Sequence, residues 1–178
     1  MLRKFGIIAV LSLLVTALAA VPALATGTPV FNDAAAPSGA HVQTGTPSCS
    51  FGTDGLSVVC STYELAGVGG TSATATLNAQ YTATINCTNN GGNLVESHNQ
   101  DVTTSTTSGP LTADKNGRLT VPSLTATAPT ATQILEQADC PNPNWDPSVA
   151  AGSIDLVSST YTLHFTGFTG NFITIIDP

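Results

Sequence analysis

The clearest pattern in the chain is a strict alternation of apolar and polar residues over Thr71–Thr88, which reads TSATATLNAQYTATINCT. Every odd position from Ala73 to Cys87 is apolar, and the even positions between them carry hydroxyl or amide side chains. A period of two places successive side chains on opposite faces of a β-strand. The pattern therefore predicts one long strand with a buried face, a wet face and a cysteine at its end.

Weaker patterns of the same kind predict further strands between frequent Gly, Asn and Pro turns. The turn at Asp54-Gly55 predicts a hairpin over 48–63, and Asn89-Asn90-Gly91-Gly92 ends the long strand. Further strands are predicted over 93–102, 119–124 (interrupted by Pro122), 153–168 and 172–176, with a polar loop over 103–110 and one or two helical turns within 130–138. Short strands and little helix predict an all-β, antiparallel β-sandwich, immunoglobulin-like or related, with at most one short helix.

Four cysteines, Cys49, Cys60, Cys87 and Cys140, allow three disulfide pairings. Counting outward from the Asp-Gly turn places Cys49 directly opposite Cys60, at a separation that a disulfide spans. We therefore predict Cys49–Cys60 and, by exclusion, Cys87–Cys140. A zinc site is the alternative, but the chain has no Cys-x-x-Cys or His-x-x-x-His spacing.

The first residues have the features of a secretory signal peptide, with Arg3 and Lys4 before an apolar run and a small-x-small site at Ala23-Leu24-Ala25. The apolar run is also near the length of a membrane span, so an uncleaved anchor is the alternative. We expect cleavage after Ala25. The predicted organisation is a signal peptide over 1–25, a flexible N-terminal arm over 26–47 with one short edge strand, and a β-sandwich domain over 48–178 of a secreted, extracellular protein.

The net charge of the mature chain limits the classes of partner that it can bind. The mature chain keeps two basic residues, Lys115 and Arg118, and all eleven acidic residues, so its formal net charge is 2 − 11 = −9. Phosphate and anionic lipid are both repelled by such a surface. We therefore expect no nucleic acid partner and, after signal cleavage, no membrane partner.

The most distinctive short motif is CPNPNW, from Cys140 to Trp145. Its prolines fix φ and its asparagines can bond their own backbone, so it is a candidate binding loop through Asn142, Asn144 and Trp145. In the binding interpretation Trp145 stacks on a sugar ring. In the structural interpretation Trp145 fills the core beside the disulfide, as large aromatic side chains commonly do.

Catalytic and metal-binding patterns are weak. The three histidines, His41, His98 and His164, are far apart, and no Gly-x-Ser-x-Gly motif is present. The three glutamates are explained as solvated residues, and the Asp139–Asp146 region lacks the Asp-x-Asp-x-Asp-Gly spacing of a calcium loop. We expect no catalytic residues, no metal site and no cofactor.

Several segments resemble small secreted proteins of actinobacteria that have a Thr-rich β region and no assigned activity. These segments are CSTYELAGVGGTSATATLNAQYTATINCTNNGG, NGRLTVPSL, CPNPNW and YTLHFTGFTG, and the resemblance covers most of the chain from Ser48. It implies no catalytic residues. The architecture is also similar to immunoglobulin-like sandwiches, although Trp145 follows the last cysteine instead of lying between the two partners.

The sequence thus favours a secreted, non-catalytic binding or structural module whose partner is an extracellular protein or polysaccharide. An exported protease inhibitor is the alternative, with Thr125–Thr132 or Pro141–Asn144 as its inhibitory segment, because a stiff loop lowers the cost of binding. A secreted hydrolase is a third hypothesis. Dimerisation through the long strand is a further hypothesis if that strand lies at a sheet edge.

Overall fold

The structure is a computed structural model that describes residues 27–178. The predicted signal peptide, 1–25, lies outside these residues. The helical segments are a 3-10 turn at Asp33–Ala35 and the helix α1 (Ala131–Leu135). The strands are β1 (Val30–Phe31), β2 (His41–Thr44), β3 (Cys49–Phe51), β4 (Val58–Cys60), β5 (Tyr63–Ala66), β6 (Ala73–Thr88), β7 (Leu94–Thr107), β8 (Leu119–Val121), β9 (Leu124–Ala126), β10 (Asp146–Val149), β11 (Asp155–Phe165) and β12 (Ile173–Asp177).

The first sheet is antiparallel, has six strands and is built around β6, the strand predicted from the alternation. On one side β6 pairs with β11 and then β10, and on the other side it pairs with β7 along most of its length. Strands β12 and β1 continue the sheet beyond β11. Because β6 is flanked on both sides, it is not an edge strand, and the condition for dimerisation through a β6 edge is not met.

The return strand β7 is longer than predicted. It continues to Thr107 and pairs with β6 as far as Thr76, so the prediction of a loop beginning at Thr103 is wrong. After Val102 the strand reads TTSTT, which is polar on both faces. It therefore lacks the apolar alternation that marks a half-buried strand.

The second layer consists of two three-stranded sheets, β2-β5-β8 and β3-β4-β9. Strands β4 and β5 are separated by a short break in the chain, and so are β8 and β9. Pro122 lies in the break between β8 and β9, where the sequence predicted an interrupted strand. Side chains bond the backbone where these ladders stop: Thr62 Oγ1 donates to the Val121 carbonyl at 2.8 Å and Ser123 Oγ to the Cys60 carbonyl at 2.8 Å. Hydroxyl groups thus replace the ladder bonds that proline cannot make.

The main core lies between the two layers. The apolar face of β6 supplies the odd-numbered residues from Ala73 to Tyr81, all fully buried. Buried residues of β11 and β12 extend this face within the sheet, and residues of β4, β5, β8 and β9 pack against it from the second layer. Two tyrosines cross this core, with the hydroxyls of Tyr63 and Tyr161 2.8 Å apart. Tyr81 donates to the Leu56 carbonyl at 2.8 Å, so it ties β6 to the turn between β3 and β4.

A second, smaller cluster lies under the far half of β6. It contains Ala83, Ile85, Cys87, Val102 and Ile134. Helix α1 covers it, and a capping box between Thr130 and Gln133 begins that helix. The second cluster therefore depends on the segment that leads to Cys140.

Both predicted disulfides are present, Cys49–Cys60 and Cys87–Cys140. Cys49 lies directly opposite Cys60 in the β3–β4 pair, as the count from the turn predicted. Gly55 in that turn has φ of 68°, a conformation that glycine adopts without strain. The all-β, antiparallel fold with one short α-helix is thereby confirmed.

The prediction of a flexible N-terminal arm is wrong for residues 27–47. The predicted edge strand, β1, is present and pairs with β12, while β2 pairs with β5, so the segment joins both layers. Ala35 is fully buried. Few apolar residues are needed here because the backbone pairs with strands that the core already fixes.

Candidate functional site

The wet face of β6 forms the middle of a wide polar surface on the outside of the first sheet. Residues that pair directly across strands lie on the same face, so the register defines this surface. We call it the polar face; its polar residues are Thr74, Thr76, Asn78, Gln80, Thr82, Thr84 and Asn86 of β6, Ser97, Asn99, Asp101, Thr103, Ser105 and Thr107 of β7, Asp155, Ser158, Thr160, Thr162 and His164 of β11, and Thr174 of β12. Two exposed apolar residues lie on the same face at its β12–β1 edge: Ile176, opposite Thr160, and Val30, opposite Thr174.

A row of four threonines crosses the polar face. Thr107 pairs with Thr76, Thr76 with Thr162, and Thr162 with Thr174. Neighbouring strands are about 4.8 Å apart and alternate residues in a strand about 6.7 Å apart, so the hydroxyls form a regular array. Within the described chain, none of these four hydroxyls donates a hydrogen bond to another protein group. All four are free to bond water or a ligand.

Other polar side chains on this face bond to each other. Ser97 Oγ donates to Asn86 Oδ1 at 2.6 Å, and Thr84 Oγ1 donates to Asn99 Oδ1 at 3.2 Å. These bonds lie toward the β6–β7 turn. The free hydroxyls are therefore concentrated at the opposite end, across β7, β6, β11 and β12.

The charge on the polar face is low and acidic. Asp101 and Asp155 are exposed and both lie opposite Thr82, away from the threonine row. The ring of His164 is held by the contact of its Nδ1 with the Gly170 carbonyl, at 2.7 Å. Lys115 and Arg118 lie outside this face, and Arg118 is paired with Glu64 at 2.8 Å. The face thus offers neutral hydrogen-bonding groups and no strong cation.

The CPNPNW loop is closed on itself. The Asn142 side-chain oxygen accepts from the Asn144 backbone at 3.0 Å, and the Asn142 carbonyl accepts from the Trp145 backbone at 3.0 Å. Asn142 therefore uses its oxygens to hold the turn. Asn144 Nδ2 also donates to Asn142 Oδ1, at 3.2 Å, so a ligand at this loop has the Asn144 side-chain oxygen and the exposed part of Trp145 to contact.

Trp145 is half-buried and packs against the second cluster, near Cys140. This position agrees with the structural interpretation of the residue. The proposed stacking of Trp145 on a sugar remains a prediction, and the part of the ring that is exposed is the part available for it.

The three histidines lie in separate places. His41 contacts the Gly39 carbonyl at 2.8 Å and Gln43 Oε1 at 3.3 Å, while His98 Nδ1 lies 3.7 Å from Glu96. A cleft of about 780 Å³ is lined by Asp33, Ser38 and His41. Both ring nitrogens of His41 are engaged by other groups, so these three residues form no Ser-His-Asp relay in the structure.

The carboxylate side chains of the described residues do not form a cluster either. Within residues 27–178, no group of three or more His, Cys, Asp or Glu side chains could hold a metal ion. Asp139 and Asp146 are exposed, and the asparagines between them are used in the turn. No helix in the described residues is long and apolar enough to cross a bilayer.

The two segments assigned to an inhibitor differ in exposure. Thr125–Thr132 begins in β9, continues through the buried Pro129 and ends in α1, so it offers little free extended backbone. Pro141–Asn144 is exposed but closed by its own hydrogen bonds. Neither has the extended form in which an inhibitory loop lies along a protease cleft.

Comparison with known proteins gives no match: no protein family, curated protein or solved structure is detectably similar to the chain.

The polar face could be found only in part from the sequence. The alternation identified the solvent-facing side of β6, but not the register of its neighbours. Direct partners of β6 on this face lie between 11 residues away, for Asn86 and Ser97, and 90 residues away, for Thr74 and His164. Polar residues alternate with buried ones over Thr160–Phe165 of β11, but this alternation does not reveal which residue of β6 each one pairs with.

Proposed function

We propose that the protein is a secreted, non-catalytic module that binds a neutral polysaccharide on its polar face. The observation that carries the proposal is the row Thr107–Thr76–Thr162–Thr174, whose hydroxyls have no protein partner. A hydroxyl both donates and accepts, so such a row suits a ligand that is itself rich in hydroxyl groups. The CPNPNW loop, with Asn142, Asn144 and Trp145, is a secondary contact in this proposal.

The shape of the sheet favours a chain over a flat solid. Adjacent strands rotate by about 20–25° relative to each other, so a face spanning six strands is twisted. A flexible glycan chain can follow this surface from strand to strand. A rigid planar surface could contact only a few of the hydroxyls at the same time.

The charge favours a neutral polymer. Asp101 and Asp155 lie on the same face as the threonine row, and the polar face has no lysine or arginine. An anionic polymer would be repelled, because no cation compensates its charge. A neutral polymer incurs no such cost.

The test uses removal of hydroxyls without change of shape. The variant Thr76→Val/Thr162→Val/Thr174→Val keeps β-branched side chains in all three strands. Each hydrogen bond contributes about 0.5–1.5 kcal/mol net, so losing three should weaken binding roughly tenfold or more. Binding is measured by co-sedimentation of the mature protein with whole cell walls and with insoluble neutral and acidic polysaccharides.

The matched control is Thr44→Val/Thr120→Val/Thr125→Val, which changes three exposed threonines on the second layer. This control should bind like the wild type. Equal binding by both triple variants would overturn the proposed face. A Trp145→Ala variant distinguishes the polar face from the CPNPNW loop. If Trp145→Ala loses binding and both triple variants keep it, the site is the CPNPNW loop.

A further inference from the structure

Strand β7 forms an open edge of the first sheet. It pairs with β6 on one side, and no described strand pairs with it on the other. Just beyond β7, the Ser108 N–H donates to the Ala75 carbonyl at 2.9 Å. Since residues of an antiparallel pair alternate between bonded and non-bonded positions, the even residues of β7 from Glu96 on bond to β6. The odd residues therefore direct their backbone N–H and C=O groups away from the sheet: Ser97, Asn99, Asp101, Thr103 and Ser105.

These outward groups have no strand partner within residues 27–178. All five residues are exposed, and none of their backbone groups bonds to a backbone group outside the β6–β7 pair. The Asp101 carbonyl accepts from the neighbouring Gln100 side chain at 3.1 Å. The edge closes at Thr106, whose Oγ1 donates to the Thr125 carbonyl of β9 at 3.1 Å. We call residues 97–105 the open edge.

The open edge has few of the features that keep edge strands from pairing. Such features are prolines, lysines, bulges and short length. The segment 99–107 reads NQDVTTSTT, without proline or lysine, and its register with β6 is regular. Its β-branched residues also favour the extended conformation. The backbone here is therefore able to accept one more strand, as in proteins that bind a peptide by extending a sheet.

A groove beside the open edge supplies side-chain contacts for such a strand. It has a volume of about 320 Å³ and lies between β7 and the segment that contains α1. Gln133, in its lining, is used by the helix cap, because its Oε1 accepts from the Thr130 N–H at 2.8 Å. Glu136 follows α1, is exposed and also lines the groove. The groove therefore offers a carboxylate to a segment that lies along β7.

The charge beside the open edge is negative on both sides of the sheet. Asp101 lies on the polar face, and Glu136 lies on the core side, where α1 packs. Neither forms an ion pair within the described residues. Successive residues of an added strand point to opposite faces, so basic side chains on both faces would approach a carboxylate. A second copy of this acidic chain fits less well, because like charges repel.

We propose that the open edge binds an extended, basic segment of another protein as an added strand. Backbone groups of that segment bond to the outward N–H and C=O groups of β7. Its lysine or arginine side chains lie near Asp101 and Glu136. This contact uses the edge of the sheet and not the threonine row, so it is independent of polysaccharide binding.

The probe is an eight-residue, acetylated and amidated peptide of Thr and Val with two lysines three positions apart, one for each face of a strand. Its binding to the mature protein is followed by NMR and amide hydrogen exchange. At saturation, exchange at the five outward amides should slow about tenfold or more, while the even residues, already bonded to β6, change little. Unchanged exchange at the outward amides with millimolar peptide would overturn the proposal.

Two control peptides need no protein variant. One has methyl groups on two central backbone nitrogens, which removes donors without changing the charge. The other has glutamate in place of both lysines. Each should bind about tenfold more weakly or less. Full binding of the methylated peptide would overturn the added strand, and full binding of the glutamate peptide would overturn the basic partner.

Two variants test the protein side of the contact. Thr103→Pro removes an outward N–H that the β6 ladder does not use, a position where an edge strand tolerates proline. It should weaken binding of the lysine peptide about tenfold or more. Glu136→Gln should weaken the lysine peptide and strengthen the glutamate peptide. Unchanged affinities in both variants would overturn the site.

The mass of the free protein distinguishes a second copy from a foreign segment. Sedimentation should give a monomer whose outward amides exchange freely. A dimer in which these amides are already protected would overturn the proposal, because a second copy would then occupy the edge.

Discussion

The pair of buried hydroxyls on Tyr63 and Tyr161 gives the sharpest prediction about stability. Tyr63 is 4% exposed and Tyr161 1% exposed, and their oxygens are 2.8 Å apart between the two layers. Changing either residue to Phe leaves the other hydroxyl buried without this partner, which should cost about 1–3 kcal/mol. Changing both removes donor and acceptor together and should cost less than about 1 kcal/mol, since matched removal is nearly neutral.

The assay is a double-mutant cycle by urea unfolding of wild type, Tyr63→Phe, Tyr161→Phe and the double variant. The free-energy changes of two residues in direct contact should not add. The double variant should be more stable, by about 1–3 kcal/mol, than the sum of the two single changes would give. Strict additivity, or a double variant less stable than both single variants, would refute the role of the pair.

The same pair predicts a loss of stability in alkali. Burial raises the pKa of Tyr161 to about 12, although its hydrogen bond with Tyr63 acts in the opposite direction, and burial also raises the pKa of Tyr63. An unfolded tyrosine ionises near pH 10, so between pH 10 and pH 12 the unfolded state loses protons that the folded state keeps. Stability is therefore fully present below pH 10 and falls as the pH rises.

For Tyr161 alone, a displacement from about 10 to about 12 corresponds to roughly 2–3 kcal/mol, lost as the pH rises through 12. The double Phe variant should lose less stability over this range, as measured by urea midpoints at pH 9, 10, 11 and 12. Parallel pH profiles for the wild type and the double variant would show that the decline arises elsewhere.

Other parts of the fold give further predictions. Replacing Cys87 and Cys140 by Ala should cost about 4 kcal/mol, against about 3 kcal/mol for Cys49 and Cys60, because the bridges join residues 53 and 11 positions apart. Urea unfolding checks this order, and the reverse order would contradict the chain-entropy account. Thr130→Ala removes the N-cap of α1 and should cost about 1 kcal/mol. Hydrogen exchange should then be faster in α1 than in β6, and equally unchanged rates in both would count against the cap.

Local chemistry explains why some elements could be predicted and others could not. The Asp54-Gly55 turn set the register of β3 and β4, and hence the first disulfide, within a span of twelve residues. The pairing of residues 27–47 with the two layers was missed because the partner strands are distant in sequence. Strand β12, which pairs with β1, is more than a hundred residues away, and β5, which pairs with β2, is about twenty residues away. Sequence periodicity reports which side of a strand is buried, not which distant backbone will pair with it.

Strand β11 also shows, at a single residue, that sequence periodicity does not reveal strand register. Parity along the sequence puts Val157 on the side of Tyr161, which is buried, yet Val157 is 47% exposed. The register with β6 shifts between Leu156 and Ser158, so Val157 is the extra residue of a bulge. The bulge turns Leu156 inward and puts Asp155 outward, opposite Thr82, whereas Thr160 and Thr162 lie in the regular part of the ladder. The position of Asp155 on the polar face therefore depends on a backbone irregularity that the alternation of apolar and polar residues cannot reveal.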